Sequence, residues 1–257
     1  MNSRRPDNRF LPAAEQGAWS GLVQLAAQHP QPRRVGDDES VDQIDATLFA
    51  LAEAIEFRDH STAEHCERLA LTSLAMGMAM SLDESALLAL YRGGYLHDIG
   101  KVAIPDSILL KPGKLTPQEW DVMRTHPEHG EEICRHLKSL APVLPIIRSH
   151  HERWDGSGYP DGLRGEQIPL LARIVQVVDI YDALTNPRPY KQAFTPKEAI
   201  CVIEDETARG WRDPEAVTTF LRLPITGIDR VAQSVRTTQT KMGAMQASIA
   251  NLSQIFQ

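Results

Sequence analysis

The sequence predicts a nearly all-α fold, and three observations carry that expectation. Apolar residues recur at three- and four-residue steps through most of the chain, the period of a helix with one buried stripe. Helix-start grammar recurs as well: TPQE (Thr116 to Glu119) and TPKE (Thr195 to Glu198) each put Thr at the N-cap, Pro at the first helical position and Glu at the third. No segment alternates apolar and polar residues with the period of two that a half-buried strand needs.

The elements follow in order. Residues 1–40 scatter Pro, Arg, Gln and Asp without periodicity and read as a poorly ordered arm, or a short helix near Trp19 to Gln28. SVDQ, beginning at Ser40, has the form of a capping box, and the helix after it carries Val41, Ile44, Leu48, Leu51 and Ile55 as its stripe. Helices are expected over 62–80 and 83–96, the second closing near Gly93-Gly94. Pro142 and Pro145 bound a helix that runs to His150-His151; Ile168 to Leu184 reads as a long helix, and Asp213-Pro214-Glu215 starts another.

LRLPITG (221–227) breaks the pattern. Beyond it Ile228, Val235, Met242, Ile249 and Phe256 fall seven apart, with Val231, Met245 and Leu252 at the d positions and Thr238 as the polar exception. That is the spacing of a coiled coil through which the chain would form a homodimer. Charges at e and g are nearly absent, so a single helix lying on the domain is the competing expectation. The organisation expected is therefore an arm over 1–40, a helical domain over 41–224 and a C-terminal helix over 225–257.

Composition sets the limits. A chain of 257 residues with 42% hydrophobic and 24% charged residues can bury a real core as a soluble protein. Its net charge of −7 gives no bulk attraction for nucleic acid or an anionic membrane, so an anionic ligand needs a local positive site. Cys66, Cys134 and Cys201 are odd in number, widely spaced and form no CxxC, which suits a reducing compartment with the thiols as small core residues. No run of about 18 apolar residues exists to enter a membrane, and the N-terminal arginines precede no apolar signal-peptide region. The cytoplasm is the expected location.

Histidine is the informative residue type. His97, His126, His150 and His151 lie in stretches with further chemical character, and His65 lies on an early helix. HDIGK (His97 to Lys101) sets a histidine beside an aspartate, with Lys101 one helical turn beyond the histidine. Asp179 follows the apolar run VQVV, where a carboxylate needs a partner or a metal. Any one of these histidines alone reads as an ordinary core or surface residue. Together, several helices each offer His or Asp among Leu, Ile, Val and Gly, and the set is large enough for two metals.

HDIGK together with HHERWDGSGYPDG (His150 to Gly162) resembles the HD-GYP branch of the HD metal-dependent phosphohydrolases. The resemblance runs from about Leu48 to Leu223 and includes, in order, RDHSTAEHCERLA, HDIGKVAIPDSILLKPGKLTPQEW, HPEHG, the HH…GYP segment and VVDIYDALTNPRPYK. It implies an all-α HD-domain bundle with a long GYP loop and hydrolysis of the bacterial second messenger cyclic di-GMP. By position, His65, His97, Asp98 and Asp179 would hold one divalent ion; Asp98 would bridge to a second, held also by His126, His150 and His151. Mixed nitrogen and oxygen ligation suits Fe or Mn, with Zn or Ni admitted. Two such ions about 4 Å apart share a hydroxide nucleophile and clamp the phosphoryl oxygens.

Further roles follow from the same resemblance. Lys101 would face the scissile phosphate, Arg188 and Lys191 the other phosphate, and Tyr159 would offer an apolar loop tip to substrate or partner. Asp182 reads either as a group orienting a ligand or as a surface carboxylate. Ser61 stands where some relatives have a glutamate that helps hold a third metal, so two metals are expected. The product implied is linear pGpG or, where hydrolysis goes one step further, GMP. The alternatives are a phosphodiesterase for another cyclic dinucleotide, or a weakly active or inactive signalling module whose GYP loop contacts a GGDEF-type cyclase or other protein. His60, His129 and His136 are expected to be exposed or peripheral.

Overall fold

Residues 38–59, 63–187, 192–225 and 241–255 are described by the computed structural model. The N-terminal arm, His60, Ser61, Arg188, Lys191 and the heptad positions before Met242 lie outside them. Among the described residues every regular element is a helix, so the all-α expectation is met. The order is α1 (Asp38–Arg58), α2 (Ala63–Ala79), α3 (Glu84–Leu96), a 3-10 turn (Ile99–Ala103), α4 (Asp106–Leu109), α5 (Pro117–Met123), α6 (His126–Cys134), α7 (Leu144–Ser149), α8 (Leu170–Thr185), α9 (Pro196–Ala208), α10 (Pro214–Leu221) and α11 (Lys241–Ile255).

The antiparallel pair α2–α3 forms the middle of the bundle, and α8 lies across α2, α3 and α7. Gly93-Gly94 does not close α3, which continues to Leu96. Gly94 sits where the two backbones cross: a Cβ there would lie 2.4 Å from the amide nitrogen of Ala70. Phe49 of α1 stacks on Tyr95 at 4.3 Å and meets the edge of Tyr91 at 6.2 Å, which seats α1 on α3. Helix α8 puts Ile174, Val175, Val177 and Val178 into the same core. Burial of each such side chain contributes about 1.5–3 kcal/mol, so the register of α8 is held firmly, and Asp179 and Asp182 with it.

Helix α1 departs from expectation in two ways. It is already helical from Asp38, so Ser40 is not its N-cap. Its buried face carries Asp45, Phe49, Ala52, Ile55 and Glu56, while Ile44 and Leu51 are 39% and 44% exposed. The reason is charge pairing. Arg92 of α3 binds Asp45 through Nη2 at 2.6 Å, and the Lys101 ammonium lies 3.6 Å from Glu56. A buried face that includes paired carboxylates is invisible to a search for apolar stripes.

The helix starts fall as the caps predict. Thr116 and Thr195 each form both bonds of a capping box, and Asp213 caps α10. Cys66 and Cys134 are buried thiols, whereas Cys201 is exposed and plays no core role. Helix α11 packs on α1 and α2. Its heptad residues Met245 and Leu252 are buried in the core of their own chain, so this part of the stripe behaves as a helix lying on the domain. No described helix is long and apolar enough to cross a membrane.

Candidate metal centre

The centre forms where the ends of four helices meet the interior of a fifth. His97 caps the C-terminus of α3, and Asp98 opens the 3-10 turn. That turn lies against the backbone of α6. A Cβ on Gly100 would sit 1.9 Å from the carbonyl oxygen of His126 and 2.5 Å from the amide of Gly130. HDIGK and HPEHG are therefore one packing unit, and the contact delivers His126 to Asp98. His150 is the C-cap of α7, His65 lies in the first turn of α2 and Asp179 in the middle of α8.

These elements bring all seven expected residues together in two groups. Asp98, His126, His150 and His151 offer ligand atoms within 4.8 Å of one another, as do His65, His97 and Asp179. Asp98 faces both groups. Its Oδ1 lies 3.1 Å from His126 Nε2 and 3.6 Å from His150 Nε2, and its Oδ2 lies 3.2 Å from His97 Nε2. In the other group His65 Nε2 is 3.7 Å from Asp179 Oδ1.

The remaining ring nitrogens say how these atoms are protonated. Nδ1 of His97, His126 and His150 bonds the carbonyls of Gly94, Met123 and Ile147 at 3.2, 2.8 and 2.9 Å. A carbonyl only accepts, so each Nδ1 carries a hydrogen, and each ring in its neutral form turns an Nε2 lone pair inward. His65 Nδ1 meets Asp182 Oδ2 at 2.7 Å, to the same effect. Lone pairs then face the carboxylate oxygens of Asp98, and His97 Nε2 and Asp98 Oδ1 are buried without a hydrogen-bond partner. Buried acceptors pointed at one another require a cation between them. Mixed imidazole and carboxylate donors fit divalent metal ions.

Electrostatics divide the rings. Burial holds His150 and His151 below the ordinary imidazole pKa, with His150 itself adding to the effect on His151. Burial also opposes the charged form of His97, but Asp98 outweighs it and raises its pKa to about 9. Burial works against the Asp98 carboxylate too, yet Lys101 and His97 hold it well below the usual range.

Lys101 sits at the edge of this cluster, 2.7 Å from Asp98, 2.6 Å from Asp59 and 3.6 Å from Glu56. Burial opposes its charge, and the three carboxylates more than restore it, leaving its pKa well above normal. The roles of Asp59 and Glu56 were not apparent from the sequence, since nothing in EFRD ties either residue to Lys101. Asp182 proves to be buried: it bonds His65 and receives both Nε and Nη2 of Arg68, at 2.5 and 2.9 Å. Burial would push its carboxyl up, and the bonds from Arg68 and His65 keep it below its usual range. His129 and His136 are exposed, as expected.

The loop after His151 is anchored by Glu152, which is fully buried and was overlooked because it follows two more conspicuous residues. Its carboxylate accepts the backbone N–H groups of Asp161, Gly162 and Leu163 at 2.7, 3.0 and 3.1 Å. Burial raises its pKa against those bonds. Gln176 of α8 donates to the carbonyl oxygens of His150 and Glu152. Arg148 adds a bidentate pair to Asp161 at 2.7 and 2.8 Å. Gly156 and Gly162 turn the chain at φ +82° and +66°, whereas Gly158 is needed for close approach to the Glu152 backbone. The Tyr159 ring stacks on His151 at 4.8 Å.

Residues 50–216 match the HD domain family. The chain belongs to that family, in its HD-GYP branch. It is 45% identical over 178 residues to the cyclic di-GMP phosphodiesterase response regulator RpfG of Xanthomonas campestris pv. campestris, covering 68% of this chain and 47% of the relative. It is 41% identical over 226 residues to a cyclic di-GMP phosphodiesterase of Vibrio cholerae, covering 82% and 46%. It is 43% identical over 153 residues to the 3'3'-cGAMP-specific phosphodiesterase 2 of the same organism, covering 59% and 29%. The chain thus spans less than half the length of these relatives. Among solved structures, a cyclic GMP-AMP specific phosphodiesterase of V. cholerae shares the fold with a TM-score of 0.58 at 20% identity, over 82% of this chain and 59% of that one.

Proposed function

We propose that this chain is a metal-dependent phosphodiesterase that opens cyclic di-GMP to linear pGpG, with GMP as a further product. The observation that carries this reading is Asp98, whose two oxygens face two separate groups of inward-turned donors. His65, His97, Asp98 and Asp179 would hold one divalent ion and Asp98, His126, His150 and His151 a second, with Fe or Mn favoured by the donor set. Ions bound there supply Lewis acidity at a phosphoryl oxygen and a water acidic enough to attack near neutral pH.

The chain's own groups supply the rest. The Lys101 ammonium, fixed beside Asp98, places positive charge where negative charge builds on the phosphoryl group. The carbonyl and carboxylate partners of the four histidine Nδ1 atoms keep the rings in one orientation and one tautomer. Tyr159, stacked on His151, walls the site. Arg188 and Lys191 are assigned to the second phosphate by resemblance. The catalytic unit is 41–224, followed by a C-terminal segment over 225–257, and a cytoplasmic location suits the free thiols.

The likeness to a 3'3'-cGAMP-specific relative favours a second reading with a different cyclic dinucleotide as substrate. The signalling-module reading, with a GGDEF-type partner on the GYP loop, predicts binding without turnover. The test is hydrolysis of cyclic di-GMP by protein purified without oxygen, with metal content measured and Asp98→Ala alongside. Turnover by the wild type and none by the variant is expected. Fully metallated protein that binds cyclic di-GMP and leaves it intact would overturn the reading.

A further inference from the structure

Arg124 differs from most arginines around the site. Arg58, Arg68, Arg92, Arg148, Arg173 and Arg212 each hold a carboxylate. Among the described residues the Arg124 guanidinium forms no such pair and lies instead within cation–π distance of two aromatic rings, 5.8 Å from Trp120 and 5.6 Å from Tyr159. Tyr159 in turn stacks on His151 and lies 6.4 Å from the ring of His126. The file Trp120, Arg124, Tyr159, His151 leads from the surface to the metal centre.

Both sides of this file are held in place. Trp120 and Arg124 are four residues apart, neighbours on one helical face, and the capping box on Thr116 fixes the start of α5. Tyr159 belongs to the loop anchored by Glu152 and Arg148. The rings attract the cation without taking its N–H groups, which stay available for a ligand. In a chain of net charge −7, this is a positive group held ready beside the centre. Trp120, 44% exposed, adds an open ring face.

The geometry points to Arg124 as the residue that reads a guanine base of the substrate. Its N–H fork matches the O6 and N7 acceptors of guanine, and Trp120 offers a surface on which the base stacks. A base joined through its sugar lies several bonds from the phosphorus at the metals, which suits a contact one ring beyond His151. Adenine presents an N6 donor where guanine has O6, so the same fork disfavours it. The inference rests on the phosphodiesterase reading above.

The test compares wild type, Arg124→Ala and Arg124→Lys on cyclic di-GMP, cyclic di-AMP and bis(p-nitrophenyl) phosphate, a diester without a base. Arg124→Ala is expected to lower kcat/KM for cyclic di-GMP about 10- to 100-fold, mainly through KM, and to affect the other two far less. Lysine, lacking the planar fork, is expected not to restore it. Unchanged cyclic di-GMP kinetics would overturn the inference, as would an equal loss on both dinucleotides, which assigns Arg124 to a phosphate. An equal loss on all three substrates would overturn it too, by revealing a disturbed centre. If the wild type cleaves bis(p-nitrophenyl) phosphate but neither binds nor cleaves cyclic di-GMP, the phosphodiesterase reading falls and takes this inference with it.

Discussion

The two halves of the candidate metal centre differ in how one histidine is braced. In the half made by Asp98, His126, His150 and His151, the rings of His126 and His150 bond carbonyls three residues earlier in their own turns. In the half made by His65, His97 and Asp179, His97 has the same local brace at Gly94, but His65 depends on Asp182, 117 residues away, which Arg68 holds in turn. One brace travels with its motif. The other exists only when α2 and α8 pack in register. The difference separates what a short stretch of sequence guarantees from what the whole bundle must supply.

The largest test breaks the contact that joins the halves. Gly100→Ala would drive a Cβ into the His126 carbonyl, and neither backbone can yield cheaply. A loss of about 3 kcal/mol is expected, seen as a fall in Tm of roughly 10 °C and as protein that no longer takes up two equivalents of metal.

A smaller effect isolates the long-range brace. Asp182→Ala leaves His126 and His150 with their own carbonyls and frees only His65. Metal affinity is expected to fall about 10- to 100-fold at one site per chain, with the other retained, as measured by titration with Mn and by metal analysis after dialysis. Equal loss at both sites would show that the halves are not braced independently.

The mildest probe is pH. Without metal, His97 holds its proton up to about pH 9 because Asp98 stabilises the charge, whereas burial keeps His150 and His151 neutral at pH 7. Metal binding at His97 must displace that proton. Affinity of the His65/His97/Asp179 half should therefore weaken by about tenfold for each pH unit below 9, while the other half changes little between pH 9 and 7. Calorimetry in buffers of different ionisation heat would count the protons released.

What could be read from the sequence follows the same division. HDIGK, HPEHG and the histidine pair pointed to the residues that gather here because type and spacing are local properties. The caps at Thr116, Thr195 and Asp213 were legible for the same reason. Asp182 remained undecided, and Arg68, Glu56 and Asp59 went unassigned, because their meaning lies in partners far along the chain. The face of α1 was misjudged where Asp45 and Glu56 are buried by cations from elsewhere. Gly94 looked like a stop signal and is in fact a point of helix contact.

The hold that Glu152 exerts on the GYP loop has a consequence for how such a site changes over generations. Its three bonds reach main-chain N–H groups, which every residue except proline possesses. Substitution at 163 leaves the grip intact, and substitution at 161 removes the Arg148 pair but not the bonds to Glu152, so the mount outlasts the tip it carries. A lineage can exchange the surface it offers to a ligand or a neighbouring protein without re-aiming His151, because the Glu152 part of the anchor does not depend on which side chains those positions bear.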